Sequence, residues 1–261
     1  MLKLIEGAPA ITLDKPKRTL VVSDLHLGFE EELLAQGIKV PPQSWRIIQN
    51  IAQLVKRVDA SRLIILGDVK HQFTGPSRLE WRMLPRLFDE LCAVVKEIMI
   101  LPGNHDGGIR KILSDKVIFL PTRGYFVKEE KIGLVHGHVW PSKQLLDAEI
   151  IIAGHLHPFI AFHGEAGTVK RRVWLRMRGS KAALAEKVLK KPVKRYRGEI
   201  TLLIMPSFND LLSGTTVTNI EEISRGHGPL LRSGIFDLAR AEVITIDGAS
   251  LGCLASLELE A

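Results

Sequence analysis

Residues 19 to 26 read Thr19-Leu20-Val21-Val22-Ser23-Asp24-Leu25-His26. Three of the first four are β-branched, and the run ends in a carboxylate and an imidazole. Such a segment reads as a short buried strand that delivers polar side chains to its carboxyl end. The pattern recurs along the chain. Leu63-Ile64-Ile65-Leu66 runs into Gly67-Asp68, and Ile98-Met99-Ile100-Leu101 into Pro102-Gly103-Asn104-His105-Asp106. Ile132-Gly133-Leu134-Val135 runs into His136-Gly137-His138, and Ile150-Ile151-Ile152-Ala153 into Gly154-His155-Leu156-His157-Pro158.

Between the early strands the apolar period changes. Trp45, Ile48, Ile51, Ala52 and Val55 follow a helical spacing within Pro42 to Val58, as do Leu84, Leu87, Phe88, Leu91 and Val95 within Leu79 to Val95. Alternating strand and helix implies parallel pairing through right-handed crossovers. In such sheets ligands bind beyond the carboxyl ends of the strands, where every polar cluster above falls. Later, Tyr125-Phe126-Val127 and Ile132 to Val135 read as a hairpin, Ile200 to Met205 as a buried strand, and Val243 to Ile246 with Leu254 to Leu259 as a closing pair. The expected class is α/β, with a second, mixed or antiparallel sheet packed face to face on the first.

Asp24, His26, Asp68, Asn104, His136, His155 and His157, with His71 and His105 close by, form a mixed carboxylate and imidazole set suited to Mn²⁺, Fe or Zn²⁺. A lone Asp-x-His or His-x-His is usually a cap or a surface feature. Five such pieces, each after a strand, are a metal site. A period of two aims Asp24 with His26, and His155 with His157, the same way if the chain stays extended. Gly67, Gly103, Gly137 and Gly154 beside these residues permit close backbone approach. His163 and His227 have no such setting and read as ordinary loop or surface histidines.

Asp24-x-His26, Gly67-Asp68-x-x-His71, Gly103-Asn104-His105-Asp106, His136-Gly137-His138 and Gly154-His155-x-His157 together resemble the motifs of the calcineurin-like metallophosphoesterases. The resemblance runs from about Leu20 to Pro158. It extends most to archaeal phosphoesterases related to the double-strand-break-repair nuclease, and to bacterial phosphoesterases associated with DNA ligases. It implies a four-layer αββα sandwich of two packed mixed sheets. It also implies two divalent ions, Mn²⁺ first, with Fe, Zn²⁺ or Ni²⁺ also accommodated. By the same resemblance Asp24, His26, Asp68 and His157 hold one ion, and Asp68, Asn104, His136 and His155 the other, so that Asp68 bridges. His105 matches a catalytic histidine, Asp106 its orienting partner, and His71 a phosphate-contacting histidine. Two ions about 3.5–4 Å apart lower the pKa of a water between them and clamp phosphoryl oxygens for in-line attack.

The whole-chain charge of +7 is unevenly placed. Lys170 to Arg197 holds twelve Lys or Arg against one acid, Glu186, a local +11 that leaves the rest of the chain at −4. We expect one domain over residues 1–261 carrying a basic insertion at about 164–199. Within it, Lys and Arg suit a phosphate backbone, while Trp174 or Tyr196 suits stacking on a base. A solvated hairpin and a short helix over Lys181 to Leu189 explain the same letters. Asn209 either lines the cleft or belongs to a turn.

Cys92 and Cys253 sit among apolar residues and read as reduced core thiols, as in a cytoplasmic protein. Neither a signal peptide nor a membrane span is expected. Three functions remain in view: a phosphodiesterase acting on nucleotides, a DNA or RNA nuclease gripping its strand through the basic stretch, and a non-catalytic scaffold. The scaffold fits least, because all seven donors are present.

Overall fold

Buried β-branched runs need partners on their edges, and the chain supplies them in two sheets. The computed structural model describes residues 1–164, 167–212, 214–217, 220–226 and 228–257. The first sheet holds β1 (Lys3–Leu4), β2 (Ile11–Leu13), β3 (Thr19–Val22), β4 (Arg62–Ile65), β5 (Glu97–Ile100) and β6 (Ile118–Phe119), in that order. β1, β2 and β3 pair antiparallel, and β3 to β6 are parallel. The crossovers carry α1 (Phe29–Ala35), α2 (Gln43–Arg57), α3 (Arg78–Cys92) and α4 (Arg110–Leu113).

The second sheet is built from β7 (Tyr125–Val127), β8 (Ile132–Val135), β9 (Ile150–Ala153), β10 (Pro158–Gly164), β11 (Gly167–Ser180), β12 (Glu199–Ile204), β13 (Thr215–Thr216), β14 (Glu242–Thr245) and β15 (Ser250–Cys253). Seven run in the order β13-β10-β11-β12-β9-β8-β7, and β14 pairs with both β11 and β15. β8, β9 and β12 are parallel, whereas β7 to β8 and β10 to β11 are hairpins. The remaining helices are α5 (Lys181–Leu189), α6 (Ile220–Gly226), α7 (Gly228–Arg232) and α8 (Leu254–Leu257).

Three apolar layers hold this arrangement. Ile11, Val21, Ile64, Leu134, Ile152, Trp174, Leu203 and Met205 meet between the sheets. Ile47, Ile48 and Ile51 of α2 and Leu84, Leu87 and Phe88 of α3 cover the outer face of the first sheet. Leu184, Ile223, Leu230 and Leu231 cover that of the second. The result is the expected αββα sandwich. No described helix is long and apolar enough to cross a membrane.

Several expectations need correction. The stretch set apart as an insertion contributes β11, a 14-residue strand inside the second sheet, followed by α5. Val173, Leu175 and Met177 pack into the outer layer and Trp174 into the inner one, so the middle of the strand is buried on both faces and the cations lie to either side of it. Trp174 is fully buried between the sheets and offers no face to a base. The closing hairpin is β14 with β15, because the turn at Thr245 to Ala249 returns the chain at Ser250. Leu254–Leu257 is helical, and Glu258 and Leu259 lie outside the described residues. Cys92 is exposed on the last turn of α3 and Cys253 is half-buried, so neither is a core thiol; both are free.

Candidate metal centre

The rim of the sandwich is drawn together by backbone pairing that continues past the strands. Beyond β3 and β4, Asp24 N donates to Gly67 O at 3.2 Å, His26 N to Asp68 O at 2.8 Å and Leu27 N to Val69 O at 2.8 Å. Across the sandwich, Phe208 N donates to Ser23 O at 2.9 Å and Asn209 N to Asp24 O at 3.4 Å. These contacts bring the strand ends of both sheets into one cluster. Asp24, His26, Asp68, His155 and His157 all adopt positive φ, between 43° and 71°. The expected extended alternation therefore fails at both x-His motifs. Each donor sits on a left-handed turn, which for a non-glycine residue stores strain of about 1–3 kcal/mol. Glycines make room for them. A Cβ on Gly103 would stand 2.2 Å from Asp68 Oδ1, and one on Gly154 would overlap Ser23 Oγ.

The donor atoms fall into two sets that share Asp68: Asp24, His26, Asp68 and His157, then Asp68, His136 and His155. Asp68 Oδ2 lies 3.5 Å from His26 Nε2 and 3.3 Å from His136 Nε2. Its Oδ1 is fixed by His105 N at 2.9 Å. His136 donates from Nδ1 to Leu66 O at 2.8 Å, which leaves Nε2 pointing at Asp68 and at Asn104 Oδ1, 3.1 Å away. Asp24 receives Ser23 Oγ at 2.6 Å and the His155 N–H at 3.1 Å. His26 Nε2 and His157 Nε2 are buried without a hydrogen-bond partner, although His157 Nε2 is 3.1 Å from Asp24 Oδ1. Buried donors converging at this distance without hydrogen-bond alignment fit ligands around a cation.

Burial and neighbouring charge divide the imidazoles of the cluster. Burial holds His26 at about 3, and burial with the neighbouring His136 holds His155 at about 3. Burial also brings His138 to about 4. These imidazoles are neutral, as ligation requires. Burial alone would raise the two carboxyls. The His157 and His136 imidazoles outweigh it at Asp24, and His136 and His26 at Asp68, holding both below the usual carboxylate range. Burial would lower His136, but the Asp68 and Asp24 carboxylates raise it to about 9, so it is cationic at neutral pH and would release that proton on ligating an ion.

His71 and His105 flank this cluster, and their donors gather with those of His26 into an all-imidazole third set. His105 Nδ1 faces His71 O at 2.5 Å. Asp106 therefore does not orient His105. Its carboxylate instead accepts from Val69 N at 2.9 Å, Lys70 N at 3.3 Å and Gly103 N at 2.8 Å, stapling the β4 loop to the β5 loop. Asn209 is fully buried; its Nδ2 donates to Leu25 O at 3.1 Å, so it is a turn residue and not part of a cleft wall. His138 packs against His136 and His155. His227 and the side chain of His163 lie outside the described residues.

Four residues escaped the sequence reading. Ser23 bonds Asp24, and Glu32 Oε2 lies 2.6 Å from His71 Nε2. Glu80 caps α3 with Ser77 and also accepts from His71 N and Gln72 N at 3.1 and 3.0 Å. Phe73 is 61% exposed, with its ring centroid 5.4 Å from that of His105. Only Glu80 left a signal, in Ser77-x-x-Glu80.

Fold and donor set together define a metal-dependent phosphoester hydrolase. A model of the calcineurin-like phosphoesterase family matches residues 17–176, and the chain belongs to that family, whose members use two metal ions. A Pseudomonas putida structure described as nuclease MPE aligns with a TM-score of 0.56 at 15% identity, covering 96% of this chain and 100% of that one. YfcE, a phosphoesterase from E. coli, aligns at 0.41 and 18%, covering 90% and 96%. A Vps29 mutant from Entamoeba histolytica aligns at 0.34 and 16%, covering 75% and 77%. No curated protein matches the sequence.

Proposed function

We propose that the protein is a phosphodiesterase acting on nucleotides, with Mn²⁺ as its working ion. The observation that carries this reading is the position of Asp68 Oδ2 between His26 and His136, which joins two donor sets through one carboxylate. Asp24, His26, Asp68 and His157 would hold one ion, and Asp68, Asn104, His136 and His155 the second. When bound, such ions polarise the phosphoryl group and acidify the attacking water. The protein does the rest. The Leu66 carbonyl fixes the His136 tautomer, and Ser23 with the His155 N–H fixes the Asp24 carboxylate. His105, whose Nδ1–H donates to the His71 carbonyl, keeps Nε2 clear of that bond and, as the imidazolium, would give its Nε2 proton to the departing alkoxide, a role worth about 10²–10⁴-fold. His71, paired with Glu32, would contact a phosphoryl oxygen. The exposed Phe73 beside His105 offers a face for a base. Two free thiols support a cytoplasmic setting.

A nuclease is the second reading, favoured by the full-length match to the fold of the Pseudomonas putida nuclease. The deciding assay is hydrolysis of bis-p-nitrophenyl phosphate, a 2′,3′-cyclic nucleotide and a single-stranded oligonucleotide, with Mn²⁺ and then with EDTA. Turnover of the small diesters that EDTA abolishes supports the phosphodiesterase. Cutting of the oligonucleotide alone selects the nuclease, and bound metal with no turnover of any substrate selects the scaffold.

A further inference from the structure

The basic stretch divides into two kinds of charge. Arg176 pairs with Glu242, Arg178 with Glu199 and Arg195 with Asp147. Lys170, Arg171 and Arg172 form no direct ion pair among the described residues, although Arg171 lies in the field of Asp247 and Arg172 in that of Asp210. They line a cleft of about 740 Å³ that shares Gly7, Arg172 and Asp210 with a neighbouring one of about 270 Å³, where Arg46 and Arg57 of α2 enter. Five cationic side chains thus face two carboxylates, Asp210 and Asp247. Asp210 is already taken by Arg46 at 2.6 Å.

Arg172, Arg57 and Lys170 are held by contacts other than direct ion pairs. Arg172 donates to the Ser207 and Phe208 carbonyls at 2.9 and 3.0 Å, and burial lowers its pKa. Arg57 reaches only the Glu6 carbonyl, at 3.4 Å, and Lys170 stands 4.7 Å over the Phe159 ring. Like charges lining two adjoining clefts that share Arg172 repel, and an anion with several oxygens relieves that repulsion through forked guanidinium contacts. The cleft also lies one loop from the metal centre. Arg172 holds Ser207 and Phe208, and Phe208 N bonds Ser23 O beside Asp24. β10, which carries Phe159, begins directly after His157.

We propose that this cleft is a second phosphate-binding site, taking a phosphoryl group other than the one at the metal centre. The group comes from a phosphorylated nucleotide chain or from free phosphate. Only the first source rests on the phosphodiesterase reading.

The test is equilibrium dialysis of the Mn²⁺-loaded protein against labelled inorganic phosphate at low ionic strength, where exposed charges are least screened. It compares wild type with the triple variant Arg57→Gln, Lys170→Gln, Arg171→Gln, all exposed and outside the metal centre. Wild type should show two classes of phosphate site. The variant should keep one and bind at the other about tenfold more weakly or worse, with kcat/KM for bis-p-nitrophenyl phosphate within about twofold. Competition for the lost class by a 5′-phosphorylated oligothymidylate supports the site and names a phosphorylated chain as the source. Competition by inorganic phosphate alone supports it with free phosphate as the source. A single class in wild type, or an unchanged isotherm in the variant, overturns the proposal. Failure of wild type to hydrolyse the diester would instead remove the phosphodiesterase reading and leave the phosphate count standing.

Discussion

Gly103→Ala tests how tightly the shared carboxylate is held. The backbone of Gly103 is not left-handed, so alanine is conformationally allowed and the substitution acts through space alone. Its Cβ would stand 2.2 Å from Asp68 Oδ1 and 2.5 Å from Asp68 N, about 1.2 Å inside ordinary contact at 3.4 Å. Gly103 cannot retreat easily, because its N–H is held by Asp106 Oδ2 at 2.8 Å. The carboxylate must therefore move, breaking the 2.9 Å bond from His105 N. A displacement of about 1 Å at a reacting centre costs about 10²-fold in rate, and the overpacking itself about 1–3 kcal/mol of stability. Hydrolysis of bis-p-nitrophenyl phosphate at saturating Mn²⁺, read beside metal content and urea unfolding, measures both. A folded variant with kcat within about threefold of wild type and full metal content would refute the reasoning, since misplacement on this scale predicts a far larger loss.

Other outcomes follow from the same geometry. His105→Ala should lose about 10²–10⁴-fold in kcat while keeping its metal, measured by plasma mass spectrometry on the dialysed protein. In ion-free protein His136 is raised to about 9, so its stabilisation is complete below the ordinary histidine value and is lost as pH rises through 9. The melting temperature of EDTA-treated protein should therefore fall between pH 7 and pH 10 more than that of Mn²⁺-loaded protein. Trp174→Ala should cost about 3–5 kcal/mol in denaturant unfolding, with oligonucleotide binding per folded molecule unchanged.

The donor set was legible because each piece follows a β-branched strand, and parallel sheets gather strand ends along one rim. The helices over Gln43–Arg57 and Arg78–Cys92 were legible for the same reason, through their apolar period. The sequence did not disclose the left-handed turns at Asp24, His26, Asp68, His155 and His157, because Asp-x-His looks the same extended or turned. The fate of Lys170 to Arg178 was hidden by charge. Counting cations marks an exposed segment, yet β11 buries Val173, Trp174, Leu175 and Met177 and leaves the cations on its open face or beyond its buried centre. Asp106 was placed beside His105 by the family resemblance alone, and nothing in the sequence showed where its carboxylate would find partners. Its acceptors are instead filled by three backbone N–H groups, two of them from the β4 loop, 36 and 37 residues away.

The central claim is that Asp68 joins two ion sites. Metal content of wild type and Asp68→Asn, purified alike and dialysed against the same Mn²⁺ buffer, tests it most directly. The account predicts two ions per wild-type chain and weakened binding of both in the variant. Loss of one ion with the other held at wild-type affinity would contradict it.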